Sequence, residues 1–208
     1  MATPKSQRIG IWIITFVLAA GTLGSFLVMG LSVQNQSVDQ KKLQDAYSKY
    51  ELDVAQQTFQ LSGKYYEEFS KYNTEVASFD SEGVKELVKR DLKVGDGEEI
   101  KSDTDYSAYY IGWNPKGVIF DQSISEGSLK APISKGGLIE GWDEGVIGMK
   151  FGGVREITIP SEKAYGETGS GDNIPANTPI KFVIMIIPKV QAVEMPQILK
   201  DYYASYGQ

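Results

Sequence analysis

The chain has 208 residues, of which 41% are hydrophobic and 23% charged, and its formal net charge is −6. It contains neither cysteine nor histidine, which excludes disulfides, thiolate nucleophiles, cysteine-held zinc, the serine–histidine mechanism and the commonest metal ligand. The length predicts one domain with appendages, for which we expect no metal and no cofactor, and the acidic charge argues against a nucleic-acid partner.

The first predicted element is a membrane anchor. Residues 9–33 read IGIWIITFVLAAGTLGSFLVMGLSV without a charged residue, and as a helix they would be about 37 Å long, enough to span a bilayer core of about 30 Å. Because Lys5 and Arg8 precede this run, residues 1–8 are predicted to be a cytoplasmic tail and the remainder of the chain to be extracytoplasmic. The alternative is a cleaved signal peptide, although its apolar core normally has only about 7–15 residues.

Residues 34–79 are predicted to form an amphipathic helical linker or arm. The segment from 34 to 78 contains no proline and one glycine, Gly63, near which we expect a break. Apolar residues recur at helical spacing: Leu43, Tyr47, Tyr50, Val54, Leu61, Tyr65, Phe69, Tyr72 and Val76. Two interpretations stay open. The helix is a spacer that packs on the following domain or on a second copy in a homodimer, or it is a chaperone arm that holds unfolded clients on its aromatic face.

Residues 80–190 have the pattern of a globular domain. Short β-prone segments are separated by turns: Val84–Val94, Asp105–Trp113, Val118–Asp121, Val154–Pro160 and Ile180–Val190. Only Leu138–Met149 has the pattern of a short helix. This combination predicts an α+β domain in which an antiparallel sheet packs around one helix.

Alternation along the second strand predicts two apolar faces. Tyr106, Ala108 and Tyr110 should face one side of the sheet, and Tyr109, Ile111 and Trp113 the other. By the same rule Phe182, Ile184 and Ile186 should share a face.

Residues 191–208 form the last predicted element, a helical tail. Met195-Pro196 precedes an apolar stripe at Ile198, Leu199, Tyr202, Tyr203 and Tyr206. The stripe is interpreted as packing on the domain or on the helix of residues 34–79, with a partner-binding tail as the alternative.

Six short motifs of the globular segment occur in an order and spacing that resemble one known family. They are Gly95-Asp96-Gly97, Tyr109-Tyr110-Ile111-Gly112, Phe120-Asp121, the run Leu138-Ile139-Glu140-Gly141-Trp142-Asp143-Glu144-Gly145, Ala164-Tyr165-Gly166 and Ile174-Pro175-Ala176-Asn177. The domain resembles the FKBP-type peptidyl-prolyl isomerases. The resemblance implies a bent antiparallel sheet wrapped around a short helix, with the active pocket between the two.

The resemblance also implies a set of site residues. The catalytic group would be Tyr110, Phe120, Asp121, Trp142, Tyr165 and Phe182, and the substrate-binding group Leu129, Leu138, Ile139 and Ile174. Trp142 would form the pocket floor, Asp121 and Tyr165 would be polar groups at the rim, and Tyr110 would be the hydrogen-bond partner of Asp121. Leu129 stands where the family often has a phenylalanine.

The loop after Tyr165 departs from the family pattern. Ser170 and Asn173 stand where better-known members have a histidine and an isoleucine, so the run from Gly169 to Asn173 is more polar. Preference for the residue before proline and affinity for macrolide inhibitors are expected to differ here.

The implied function is peptidyl-prolyl isomerisation that assists the folding of exported proteins at the outer face of a membrane. Rotation about an X-Pro bond makes and breaks no covalent bond, so the chemistry tolerates the absence of histidine and cysteine. The expected partners are proline-containing unfolded or exported polypeptides, a lipid bilayer through residues 9–33, and macrolide inhibitors. The alternative is a non-catalytic holding chaperone or scaffold that uses the same pocket and the tyrosine-rich helix.

Overall fold

The structure is a computed structural model that describes residues 37–206. The predicted cytoplasmic tail and membrane anchor, residues 1–8 and 9–33, lie outside the described residues. Within 37–206, no helix combines the length and apolarity that crossing a membrane requires. One compact unit is Leu61–Gln191, and residues 37–60 and 192–206 belong to the other.

In the segment predicted as an amphipathic helix, residues 37–70 form one continuous helix. Helix α1 is Ser37–Ser70 and is followed by a 3₁₀ turn, Lys71–Glu75. The expected break near Gly63 is wrong. A glycine inside a helix costs only about 1 kcal/mol, and neighbouring contacts offset that cost: the Ser62 hydroxyl accepts the Leu129 N–H at 2.8 Å, and Phe69 is completely buried.

The first part of α1 belongs to the smaller unit, together with the C-terminal helix. Gln197–Tyr206 is helical within the predicted tail and is named α3 below. Leu43 and Leu199 are both buried. Burial first, and then the nearby Glu51 and Tyr203, raise the pKa of Tyr47, so the predicted tail helix lies close to α1.

The larger unit is an antiparallel sheet with one helix on one face. Its elements are β1 (Val88–Lys93), β2 (Tyr106–Trp113), β3 (Ile119–Gln122), β4 (Ile124–Ser125), β5 (Ser128–Leu129), β6 (Ile133–Ser134), α2 (Glu140–Val146), β7 (Val154–Ile159), a 3₁₀ turn (Ser161–Lys163) and β8 (Ile180–Pro188). The main sheet has the order β1-β7-β8-β2-β3, β6 pairs with β2, and β4 pairs with β5. The predicted α+β antiparallel fold is confirmed.

The two faces of the sheet carry separate apolar cores, as the alternation of β2 predicted. Tyr106 and Ala108 belong to the core under α2, together with Phe182, Ile184 and Ile186. Tyr109, Ile111 and Trp113 belong to the opposite core.

The second core is covered by the end of α1 and the residues after it. Phe69 is completely buried there, and Tyr65, Tyr72, Val76 and Phe79 pack against it. The compact unit therefore begins at residue 61 rather than at residue 80 as predicted, because the apolar second face of the sheet needs a covering layer. For residues 61–79, the interpretation as a segment packed on the domain is the one that the contacts favour.

Candidate functional site

A pocket of about 580 Å³ opens on the α2 side of the sheet. It is lined by Tyr110, Phe120, Asp121, Ile133, Gly137, Leu138, Ile139, Trp142, Tyr165, Ser170, Gly171, Asp172, Asn173, Ile174 and Phe182. All the predicted site residues except Leu129 are among them. Residues that are far apart in the sequence therefore meet at one cavity, because β2, β3, β8 and α2 each contribute to its wall.

Aromatic rings in edge-to-face contact form the floor and walls of the pocket. The Trp142 and Phe182 ring centroids are 5.1 Å apart with an interplanar angle of 77°, and the Tyr110 and Trp142 centroids are 5.6 Å apart at 85°. Phe120 meets Phe182 at 5.5 Å and 86°. This geometry suits the ring quadrupoles, and it produces a rigid apolar enclosure.

The floor residue Trp142 is held from below by the sheet. Its indole Nε1–H donates to the Tyr106 hydroxyl at 3.1 Å, and the side chain is 2% exposed. Helix α2 lies close to β7 because two of its residues have no side chain: a Cβ on Gly141 would be 2.2 Å from Ile159 Cγ2. A Cβ on Gly145 would likewise be 2.9 Å from Ile157 Cδ1.

Arg155 of β7 fixes the other end of α2. Its guanidinium donates to the carbonyl oxygens of Gly145 and Ile147 at 2.9 and 3.0 Å. Asp91 on β1 accepts the Arg155 Nε–H at 2.6 Å. A cation at a helix C-terminus is favourable, so this buried arginine stabilises the helix that supplies the pocket floor.

Asp121 and Tyr110 form the main polar pair at the rim. The Tyr110 hydroxyl donates to Asp121 Oδ2, and the Gln122 N–H donates to Oδ1 at 2.7 Å. Lys130 Nζ lies 4.0 Å from Oδ1, and the Asp121 side chain is 54% exposed. Burial, and after it the hydrogen bond to Asp121, raise the pKa of Tyr110, so its phenol stays protonated and remains the donor.

Two further donors at the pocket have no acceptor among the described residues. Tyr165 lines the pocket, and burial together with the Asp121 charge raises the pKa of its hydroxyl. Ile139 precedes α2 in an extended conformation, φ −69° and ψ 151°. Its N–H, like the Tyr165 hydroxyl, makes no hydrogen bond within residues 37–206, so both groups are available to a ligand.

Leu129 does not line the pocket, which differs from the prediction. Its side chain is 2% exposed and belongs to the core covered by α1. The turn between β4 and β5 has left-handed backbone at Glu126 and Gly127, φ 45° and 82°, and it returns the chain so that Leu129 pairs with Ile124. Both of these side chains then meet the α1 side of the sheet rather than the pocket.

Sequence reasoning missed Ile133 and Gly112. Ile133 lines the pocket from β6, whose two residues are too short a run to predict a strand. Gly112 lies opposite Phe182 in the β2–β8 pairing, and a Cβ there would be 2.4 Å from Phe182 Cε1 and 2.8 Å from Phe120 Cε2. The signal available in the sequence was its position two residues after Tyr110, which places Gly112 on the same face of β2 as Tyr110.

Comparison with known proteins finds a matching family model and several relatives of this domain. The sequence model of the family FKBP-type peptidyl-prolyl cis-trans isomerase matches residues 96–187. The "FK506-binding protein" of Neisseria meningitidis serogroup A is 38% identical over 102 residues, which are 49% of this chain and 94% of that protein. The "FK506-binding protein 4" of Rhizopus delemar is 36% identical over 101 residues, and this chain spans only 26% of its length.

One solved relative is a peptidyl-prolyl cis-trans isomerase from Pseudomonas syringae pv. tomato. The two sequences are 28% identical, and the match covers 59% of this chain and 90% of the Pseudomonas chain, with a TM-score of 0.45.

Proposed function

Because the chain belongs to the FKBP-type peptidyl-prolyl cis-trans isomerase family, we propose that it isomerises X-Pro bonds of exported polypeptides at the outer face of a membrane. The observation that supports the site of this activity is the aromatic enclosure around Trp142 and Phe182, with hydrogen-bonding groups at its rim. Unfolded chains supply the substrate, since about 10–30% of their X-Pro bonds are cis.

The mechanism needs binding rather than a nucleophile. Rotation about the X-Pro bond must break amide resonance, at a barrier of about 18–20 kcal/mol. The twisted amide has lost its resonance polarisation, so an apolar pocket suits it better than the planar amide. A millionfold acceleration would require about 8 kcal/mol.

Each pocket residue has a role in this scheme. The proline ring lies on Trp142, between Phe182 and Phe120 and beside the ring of Tyr110, with Leu138 and Ile174 at the edges. The Ile139 N–H and the Tyr165 hydroxyl, which make no hydrogen bond within residues 37–206, donate to backbone carbonyls of the substrate. Asp121, oriented by Tyr110, faces the twisting amide and stabilises its altered charge distribution.

The membrane location is part of the proposal and depends on residues 9–33. Their uncharged length is sufficient to cross a bilayer, and the preceding Lys5 and Arg8 favour a cytoplasmic N-terminus. A homodimer through the 34–79 helix would use residues before 61, because those from 65 to 76 pack on the sheet.

Macrolide binding at the same pocket is also proposed. FK506 is the ligand in the names of the Neisseria and Rhizopus relatives, and the aromatic enclosure would bind its apolar ring. Competition by FK506 for the isomerase site is the expected consequence.

The isomerase proposal is tested by NMR exchange spectroscopy on a prolyl tetrapeptide with the full chain in detergent micelles. We expect the wild type to accelerate cis–trans exchange, Phe182→Ala to abolish most of the acceleration, and FK506 to inhibit it. Phe59→Ala is the matched control, since Phe59 is 43% exposed and does not line the pocket. If the wild type bound the peptide without accelerating exchange, the alternative of a holding chaperone or scaffold would replace the enzyme.

The membrane proposal has its own test. The full chain is expressed in cells, and protease is added to intact and to permeabilised cells before fractionation. We expect to recover the chain in the membrane fraction. In intact cells, the added protease should digest residues 61–191, because they lie outside the membrane. Recovery in the soluble fraction, or protection of the domain in intact cells, would contradict the proposal.

A further inference from the structure

The most polar part of the pocket wall is a loop that is closed on itself. This rim loop, residues 169–173, contributes four pocket-lining residues, Ser170 to Asn173, all of them exposed. The Ser170 N–H donates to the Ile174 carbonyl at 2.7 Å, and the Gly169 N–H to the Tyr165 carbonyl at 3.1 Å. These bonds fix the shape of the loop but do not fix its position over the pocket.

One hydrogen bond from a distant residue supplies that position. The Asn114 side chain donates through Nδ2 to the Asn173 carbonyl at 2.8 Å. Among residues 37–206, no other hydrogen bond joins the rim loop to a residue outside 161–177. Asn114 is 6% exposed, and a buried polar group is expected to have a specific partner.

Asn114 is itself held in the turn between β2 and β3. Its Oδ1 accepts the N–H groups of Lys116 and Val118 at 3.0 and 3.1 Å. Both lone-pair directions of that oxygen are therefore occupied by the turn, and only the Nδ2 donor extends toward the rim loop. The asparagine amide can make these two acceptor bonds and donate from the same planar group.

The turn between β2 and β3 is hydrogen-bonded to residues 77–79, which follow the 3₁₀ segment after α1. The Phe79 N–H donates to the Pro115 carbonyl at 3.0 Å, and the Trp113 indole N–H donates to the Ala77 carbonyl at 3.0 Å. Residues 77–79 precede the region that the family model matches. The position of the rim loop thus depends on a part of the chain outside that region.

We propose that Asn114 is a positioning residue that sets substrate affinity and the preference for the residue next to proline, by holding the rim loop at the pocket. The inference rests on the proposed isomerase function. The rim loop presents the Asp172 carboxylate to the pocket. Within the described residues, Asp172 and Asp121 are the only charged side chains that line the pocket. A loop held in place should therefore favour lysine over glutamate beside the proline, and a loosened loop should discriminate less.

The test compares full chains in micelles on tetrapeptides with leucine, lysine or glutamate before the proline. Asn114→Ser keeps an oxygen for the turn but loses the Nδ2 donor, and Asn114→Asp keeps both acceptor bonds and loses the donor. For Asn114→Ser we expect KM on the leucine peptide to rise about three- to tenfold, the size of one lost hydrogen bond, with kcat within about twofold. The lysine-to-glutamate ratio of kcat/KM should fall toward one. Asn114→Asp should raise KM similarly on the leucine peptide.

Val118→Ala is the matched control in the same turn. Val118 is 43% exposed and does not line the pocket, and it bonds to Asn114 Oδ1 through its backbone N–H, which alanine keeps. We expect the KM and peptide preference of Val118→Ala to stay at wild-type values. An equal change in Val118→Ala, or no change in Asn114→Ser, would overturn the proposal.

Two outcomes keep the inference separate from the function on which it rests. A wild type without isomerase activity refutes the proposed function, whereas an active wild type with an unaffected Asn114→Ser refutes only the role of Asn114. If both Asn114 variants fail to fold, hydrogen exchange of the Asn114 side-chain amide in the wild type decides. Slower exchange on adding the leucine peptide supports the proposal, and unchanged exchange overturns it.

Discussion

Tyr110 donates its hydroxyl hydrogen to Asp121 from the neighbouring strand, and this bond determines which face of the aspartate is left for a ligand. The strands are in register with Gly112 opposite Asp121, so the phenol reaches the carboxylate diagonally across the pair. With one oxygen bonded to Tyr110 and the other to the Gln122 N–H, the carboxylate has a fixed orientation at the pocket rim.

The first prediction follows from this pair. Tyr110→Phe keeps the ring that lines the pocket and removes only the donor, so kcat/KM for a prolyl tetrapeptide should fall about five- to tenfold, or about 1–1.5 kcal/mol. Asp121→Ala should cost at least as much. Because the two side chains act together, the double variant should lose less than the sum of the two effects. Tyr203→Phe is the control, since Tyr203 is 46% exposed and does not line the pocket; strict additivity in the double variant would contradict the pairing.

The faces of the sheet were predictable because strand alternation is a local property. The period of two along β2 separates Tyr106 and Tyr110 from Tyr109 and Trp113, and the two apolar cores divide in that way. This inference needed only near neighbours in the sequence. The residues of the pocket wall came instead from the family resemblance of short motifs, such as those around Phe120 and Trp142.

The features that were not predicted depend on distant partners. Gly63 looked like a helix break because the contacts of Ser62 with Leu129 are invisible in the sequence. Leu129 was assigned to the pocket because the family that the domain resembles often has a phenylalanine there, and no local rule reports which way a two-residue strand turns. The bond from Asn114 to Asn173 joins two turns that are 59 residues apart, and each turn alone shows only a conformational preference.

The second prediction concerns the role of α1 as part of the domain core. Phe69 is completely buried against the sheet, so Phe69→Ala should lower the free energy of unfolding by about 3–5 kcal/mol. Phe59→Ala in the same helix is the matched control, because Phe59 is 43% exposed and its loss should change stability by less than about 1 kcal/mol. Urea unfolding followed by tryptophan fluorescence measures both. Equal effects would show that residues 61–79 are only a spacer.

The third prediction is a loss of stability at alkaline pH. Burial raises the pKa of Tyr106, Tyr109, Tyr110 and Tyr165 above the ordinary value, which is about 10. Above that pH the unfolded chain has lost protons that the folded chain retains, so the free energy of unfolding declines as pH rises. We expect stability to be constant from about pH 7 to 9 and to fall beyond about pH 10.

Tyr109→Phe tests the origin of that loss. The Tyr109 hydroxyl is buried and has no hydrogen-bond partner within the described residues, so its removal should raise the free energy of unfolding by about 1 kcal/mol at neutral pH. It should also reduce the slope above pH 10, since one of the shifted groups is gone. Urea titrations at a series of pH values measure both effects, and an unchanged alkaline slope would rule out Tyr109 as a contributor.

The last prediction concerns Gly112, the β2 residue that lies beneath the aromatic wall of the pocket. Gly112 lets the Phe120 and Phe182 rings meet over the backbone of β2, and an added methyl group would be 2.4 Å from Phe182 Cε1. Gly112→Ala should therefore displace the rings, lower kcat/KM more than tenfold and reduce stability by about 1–3 kcal/mol.

Gly63→Ala is the control for this substitution. Among the described residues, no atom outside the adjacent helix backbone and chain neighbours lies within 4 Å of its added Cβ, and the change should raise stability by about 0.5–1 kcal/mol through better helix propensity. Its kcat/KM should equal that of the wild type. Because the two variants add the same methyl group, a Gly112→Ala protein with wild-type kinetics would show that the contact between Phe120 and Phe182 is not needed for isomerisation.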